Sequence, residues 1–327
     1  MKDCWALPVI IFLLTGAAFA GQSRSQLPQM VLIGIGKPGI VLPQVRGLFD
    51  GLEEAGYIDG KNLLVHHLRS ESAAELRDRL TELVRRKVDI IATSSASETT
   101  IAQQVTRETP IIFVPSLDPV RMGFVKSRAR PDTNLTGLSY TRNHADNGKQ
   151  LAVFKEFVPG LRRVTLFYDG RPAIGTPESI RASVRRIAQH LNIQLSEHPV
   201  TSSADAVKVL QPMSKGAIDG AFLICTAVFR GLKPLADSAA QMGVPLFGCT
   251  AAQVADEGAL MTYTPDLYLI GYRGAWYIDR ILKGAKPDQL PVEAPRQLEL
   301  VINLKNAKAV GLKIPPERLI LADKVFQ

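Results

Sequence analysis

"VDIIATSSASETTIAQQVTRETPIIFVPS", residues 88 to 116, decides the fold. Its ends, "VDIIATS" (88–94) and "PIIFVPS" (110–116), are short, near-continuous apolar runs rich in β-branched residues. Strands that are apolar on both faces belong in a sheet covered on both sides, the pattern of a parallel sheet. Between them "SETTIAQQVTRE" (97–108) makes the crossover helix that two parallel strands need. The stretch reads as a β-α-β unit of a doubly wound fold.

The alternation continues in both directions. Upstream, "MVLIGIG" (30–36) and "NLLVHHL" (62–68) read as strands, and 42–56 and 72–87 as helices. Val45, Leu48, Phe49 and Leu52 line one face of the first helix, and Gly56 stops it. The pattern restarts with strands at "RRVTLFYD" (162–169), "IQLSEHPV" (193–200), "DGAFLICT" (219–226) and "VPLFGCT" (244–250), separated by helices near 176–190, 203–214 and 230–242. The expected class is α/β: two doubly wound parallel-sheet lobes, 29–140 and 141–264. Joints fall around "NLTGLSYT" (134–141) and before "PDLYLIGYRGAWYIDRILKG" (265–284). The latter reads as a long helix starting at Pro265, after the strand-like "GALMTYT" (258–264), and returns the chain to the first lobe as part of 265–327.

The N-terminus differs from all that follows. Lys2, the apolar "WALPVIIFLLTGAAFA" (5–20) and the small-x-small Ala18-Phe19-Ala20 form a secretory signal, so 1–20 is expected to be cleaved and the mature protein to work in the periplasm. An uncleaved anchor is the alternative, although the run is short for a membrane span. The net charge of +8 arises from Lys and Arg scattered over expected helix faces. No basic stripe with interleaved aromatics appears, so no nucleic-acid partner is expected.

Gly34-x-Gly36-x-x-Gly39 has the spacing of a dinucleotide-binding turn. Its context fails: Pro38 and Pro43 bracket a longer loop, and no acidic residue ends the second strand. No cofactor is expected. His66 and His67 point to opposite strand faces, and His144, His190 and His198 are scattered, so no metal site is expected. No G-x-S-x-G elbow occurs, and the protein reads as a non-enzyme.

Six segments together carry a family resemblance: "LFDGLEEAGYIDGKNLLVHHLRSES" (48–72), "ELVRRKVDIIATSSA" (82–96), "TPIIFVPSLDPVRMGFV" (109–125), "NLTGLS" (134–139), "RILKGAKPDQLPVEAP" (280–295) and "ELVINLKNAKAVGLKIPPERLILADKVF" (299–326). In this order they resemble the tryptophan/tyrosine-type ABC-transporter substrate-binding proteins. The resemblance implies a type I periplasmic-binding-protein fold, with two lobes closing on a small solute between them. It also implies a membrane permease and its ATPase as partners, for a soluble, monomeric protein working near the membrane surface. The solute it suggests is an amino acid or another small acid, aromatic ones included. A sensory role, presenting the closed form to a membrane receptor or kinase, is the alternative. The loops "GKPGIVLP" (36–43), "SSASETT" (94–100) and "YDGRPAIGTPES" (168–179) depart from the family pattern, which bears on the solute and not on the fold.

Ligands of doubly wound sheets bind outside the carboxyl ends of the strands. That rule selects Gly36–Ile40, Ser94, Ser95, Ser97, Ser116 and Asp118 in the first lobe. In the second it selects Tyr168 to Arg171, Thr226, Cys249, Thr250, Tyr263 and Thr264. The three serines open a helix, where free N–H groups and hydroxyls suit a carboxylate; one of them is also the N-cap. Asp118 before Pro119 reads equally as an N-cap. Tyr168 and Tyr263 would stack on a flat solute or belong to the core, and Arg171 would pair with an anion or stay solvated. Cys225 and Cys249 end two strands expected to be neighbours, and side chains paired directly on one sheet face diverge poorly for bridging. Two thiols beside the cleft are therefore expected rather than a disulfide.

Overall fold

The computed structural model describes residues 27–35, 42–70, 72–116, 118–141, 145–172 and 175–327. The expected signal segment and the Gly36–Ile40 loop lie outside them. Lobe 1 is built on a five-stranded, all-parallel sheet of order β2-β1-β3-β4-β5. Its strands are β1 (Gln29–Ile35), β2 (Leu64–Ser70), β3 (Ile90–Thr93), β4 (Ile111–Ser116) and β5 (Leu135–Ser139). Alternate residues of each central strand enter opposite cores. Met30, Leu32, Ile90, Ala92, Ile112 and Val114 pack under α1 (Pro43–Glu54) and α9 (Leu267–Leu282). Val31, Ile33, Ile91, Ile111 and Phe113 pack under α2 (Ala73–Arg85) and α3 (Ala96–Val105). Both faces are dry, which is why these strands are apolar at every position; each fully buried Ile or Leu contributes roughly 1.5–3 kcal/mol.

Lobe 2 carries β6 (Arg163–Asp169), β7 (Gln194–Val200) and β8 (Gly220–Leu223), parallel in the order β7-β6-β8. Its helices are α4 (Ala145–Phe157), α5 (Glu178–His190), α6 (Ser203–Leu210), α7 (Lys233–Gln241) and α8 (Ala251–Asp256). The expected strand at 244–250 is reduced to isolated bridges, Ala221–Leu246 and Phe247–Met261, which relay the sheet onward. Beyond them β9 (Met261–Thr264) and β10 (Glu299–Asn303) pair antiparallel, and β10 pairs parallel with β11 (Lys324–Phe326) after α10 (Leu304–Ala309) and α11 (Pro316–Leu319). The chain crosses between lobes three times: after β5, between β9 and α9, and between Glu293, which bridges Leu138, and β10.

Two local expectations change. Residues 134–141 are not merely a joint: they form β5, whose Gly137 (φ 142°) lies so close to β4 that a Cβ would sit 2.3 Å from the Phe113 carbonyl oxygen. The long helix starts not at Pro265 but after Asp266, whose carboxylate accepts from the Tyr268 and Leu269 amides. Such a cap contributes about 1 kcal/mol. α9 crosses α1 at glycine contacts: a Cβ on Gly271 would stand 1.9 Å from the Gln44 carbonyl oxygen, and one on Gly47 2.0 Å from that of Tyr268.

Candidate functional site

A cavity of about 120 Å³ lies between the lobes, at the carboxyl ends of both sheets. Lobe 1 supplies the start of α1 (Leu42, Pro43, Gln44), the start of α3 (Ser94 to Ser97), and Pro115, Met122 and Tyr140. Lobe 2 supplies Asp169, Gly175 and Pro177, the turn after β8 (Cys225, Thr226, Ala227, Phe229, Arg230), and Cys249, Thr250 and Gln253. Most of this lining is apolar, so solvent exclusion strengthens the few polar groups that face it.

α3 is the polar focus. Ser95 is its N-cap, its Oγ accepting from the Glu98 amide at 3.4 Å and lying 3.2 Å from Ser97 Oγ. The amides of Ala96 and Ser97, in the first turn, have no acceptor within the helix. Glu98 is wholly buried and folds back onto the Ser94 amide (2.6 Å) and hydroxyl (2.9 Å). That buried carboxylate receives Arg230 from the other lobe at 3.4 Å, and Arg230 also reaches Ser94 Oγ at 3.2 Å. Arg171 is gripped by Asp169 through two bonds of 2.9 and 2.6 Å, and its guanidinium extends to Ser97 Oγ at 3.4 Å. Two guanidinium groups of lobe 2 therefore flank one helix N-terminus of lobe 1.

Tyr140 roofs the cavity, its hydroxyl donating to the Cys249 carbonyl at 3.4 Å, and burial pushes its phenol well above the ordinary range. Cys225 and Cys249 form a disulfide, with Cα atoms 5.3 Å apart, which corrects the expectation of two thiols. Both cysteines lie past regular strand: β8 ends at Leu223 and Cys249 precedes the Thr250 cap of α8. Free of the pleat, their side chains can turn toward each other. Gln253 pins the same turn, accepting from the Cys249 amide (2.8 Å) and donating to the Phe229 carbonyl (2.7 Å).

Of the residues selected from sequence, Ser94, Ser95, Ser97, Asp169, Thr226, Cys249 and Thr250 line the cavity. Tyr168 and Arg171 line an adjoining open groove with Arg121 and Arg181, and Arg181 stacks over the Tyr168 ring at 4.4 Å. Ser116, Asp118 and Tyr263 are outside the cavity lining. Ser116 is buried in lobe 1. Asp118 caps a turn, accepting from the Arg121 amide at 3.2 Å, and no helix follows it. Tyr263 packs on the lobe 2 core with Lys149 over its ring. Sequence reasoning missed Gln44, Tyr140 and Arg230. For Arg230 the sequence carried no local signal: Glu98 in the first turn of α3 reads as an ordinary N-terminal acid, and only its complete burial calls for a cation.

Comparison with known proteins agrees with this architecture. The family described as ABC transporter substrate binding protein matches residues 31–326. A tyrosine-binding protein of Clostridioides difficile is 23% identical over 270 residues, covering 82% of this chain and 76% of the relative. A conserved domain protein from Vibrio cholerae superposes with a TM-score of 0.83 at 25% identity, over 92% of this chain and 100% of that one. An ABC domain from Streptococcus pneumonia, solved in complex with L-Trp, gives 0.82 at 22% identity over the same shares.

Proposed function

The chain belongs to the ABC transporter substrate-binding protein family, and from that membership we propose that it captures a small carboxylic acid between its lobes outside the cytoplasm and delivers it to an ABC permease. The observation that carries the choice of an acid is the α3 N-terminus, whose Ser95, Ala96 and Ser97 line the cavity between Arg171 and Arg230 and whose first amides have no acceptor in the helix. A carboxylate docked there meets hydrogen-bond donors and positive potential from both lobes, so it rewards the closed arrangement over an open one. The apolar remainder of the wall, with Tyr140, Phe229 and Met122, suits an apolar or aromatic body. The relatives named for tyrosine and solved with L-Trp fit such a solute in kind. The role is capture, not catalysis.

The test is calorimetric titration of aromatic and aliphatic acids alongside their neutral amides. Acids should bind and amides should not. Ser97→Ala, which spares the Ser95 cap, should weaken the acid by about ten- to a hundredfold, the worth of one charge-assisted hydrogen bond. Amides binding as well as acids would defeat the choice of solute. For delivery, uptake of the acid by cells should vanish when the gene is deleted, and undiminished uptake would argue against a transport role.

A further inference from the structure

Gln44 is the second residue of α1 and, at 6% exposure, is buried in the cavity wall. Its Nε2 donates to the Ser94 carbonyl at 3.4 Å. Only the NH₂ side of an amide can donate to a carbonyl, so this bond decides which way the group faces. The other atom, Oε1, has no hydrogen-bond partner among the described residues. Buried acceptors are almost always satisfied, and one that is not points to a group the fold expects from elsewhere. On the opposite wall Thr226 Oγ1 is likewise without a partner.

Position limits what that group is. Because Gln44 holds Ser94, its free oxygen lies next to the α3 N-terminus, beside the place where a carboxylate would dock. The O–H or N–H it accepts from is therefore carried on the carbon adjacent to that carboxylate. Charge limits it further. Among the described lining residues the carboxylate of Asp169 is held by Arg171, and Glu98, behind the wall, is held by Arg230. Both guanidinium groups reach the serines themselves, so an ammonium placed there would face two positive charges in a poorly solvated space. The small cavity also disfavours a bulky acylamino group.

We propose that the solute is a 2-hydroxy acid, its hydroxyl donating to Gln44 Oε1 and its carboxylate at the start of α3. This rests on the acid reading above and narrows it. The test titrates matched compounds into the wild-type protein and Gln44→Met: 3-phenyllactate against 3-phenylpropionate, and lactate against propionate. L-phenylalanine adds an ammonium in place of the hydroxyl, and 3-phenylpropane-1,2-diol keeps the hydroxyl but lacks the carboxylate.

The hydroxy acid of at least one pair should bind about tenfold or more tighter than its partner, the scale of one buried hydrogen bond. Gln44→Met should erase that advantage, so that the hydroxy acid and the unsubstituted acid bind the variant alike, while circular dichroism shows the variant folded. Equal affinities in both wild-type pairs, an advantage that survives Gln44→Met, or L-phenylalanine binding tighter than 3-phenyllactate would each overturn the proposal. The diol separates the two readings. If it matches 3-phenyllactate, the carboxylate reading fails, while Gln44-dependent binding of the diol still supports the hydroxyl contact. Binding of none of the compounds overturns both.

Discussion

Adding one methyl group at the α1–α9 crossing should unsettle both lobe 1 and the cavity. Real Cβ atoms essentially never approach within 3.0 Å of a neighbour, yet one on Gly271 would stand 1.9 Å from the Gln44 carbonyl oxygen. The obstacle is backbone on both sides, so no rotamer change relieves it and the helices must part by about 1 Å. Overpacking of this kind costs roughly 1–3 kcal/mol, and a backbone clash belongs at the top of that range. Alanine recovers about 1 kcal/mol over glycine in a helix. The net loss for Gly271→Ala is therefore roughly 2 kcal/mol, or a fall of about 4–8 °C in melting temperature for a lobe of this size. Thermal melts followed by circular dichroism measure it. Gly160→Ala is the control, since a Cβ there meets nothing within 4 Å. Adding Gly47→Ala to Gly271→Ala should cost less than the two singly, because one separation accommodates both. Solute affinity should fall as well, since Gln44 moves with α1. Gly271→Ala melting at or above the wild-type temperature would refute the reasoning.

Two further outcomes are expected. Reducing the Cys225–Cys249 bridge, which spans a sequence separation of 24, should lower stability by about 2–4 kcal/mol; thiol titration of denatured, unreduced protein lacking residues 1–20 should find no free thiol, and two would disprove the bridge. Burial lowers the pKa of His198 below its ordinary 6.5, so the unfolded chain protonates first as pH falls. The stability from keeping this ring neutral is present above about pH 6.5 and is lost as pH falls through the lower folded value. His198→Asn should flatten the pH dependence of the melting temperature in that window, and an unchanged profile would reject the assignment.

The first sheet was legible because both of its faces are covered: "VDIIATS" and "PIIFVPS" are apolar at nearly every position between their ends, a pattern few other structures demand. β5 was harder to see because Gly137 interrupts its run, and the reason for that glycine, the nearness of Phe113, lies in another strand. At 244–250 the composition of a strand was present, but only two bridges form, so propensity overstated the pairing. The serines at the start of α3 could be placed by the strand-end rule alone. Gln44 and Arg230 could not, because each matters through a partner distant in sequence, Ser94 and Glu98, that no local pattern reveals. The disulfide was missed for a related reason: where the strands stop, the geometry that argued against bridging stops too.

The three crossings between lobes mean that neither lobe is a contiguous stretch of chain. β1 belongs to the sheet of lobe 1 and β11 to the β11-β10-β9 sheet that packs on the lobe 2 core, so the two ends of the described chain ride on different lobes. Dyes attached near Leu27 and at Gln327 would thus sit on opposite sides of the hinge, outside the cavity lining. Any parting of the lobes on solute release changes the separation of the dyes, and energy transfer between them would turn occupancy into an optical signal. The same threading argues against obtaining either lobe by simple truncation: a cut after β5 strips the lobe 1 sheet of α9, and a cut after β9 leaves β9 without its partner β10 and lobe 2 without β11.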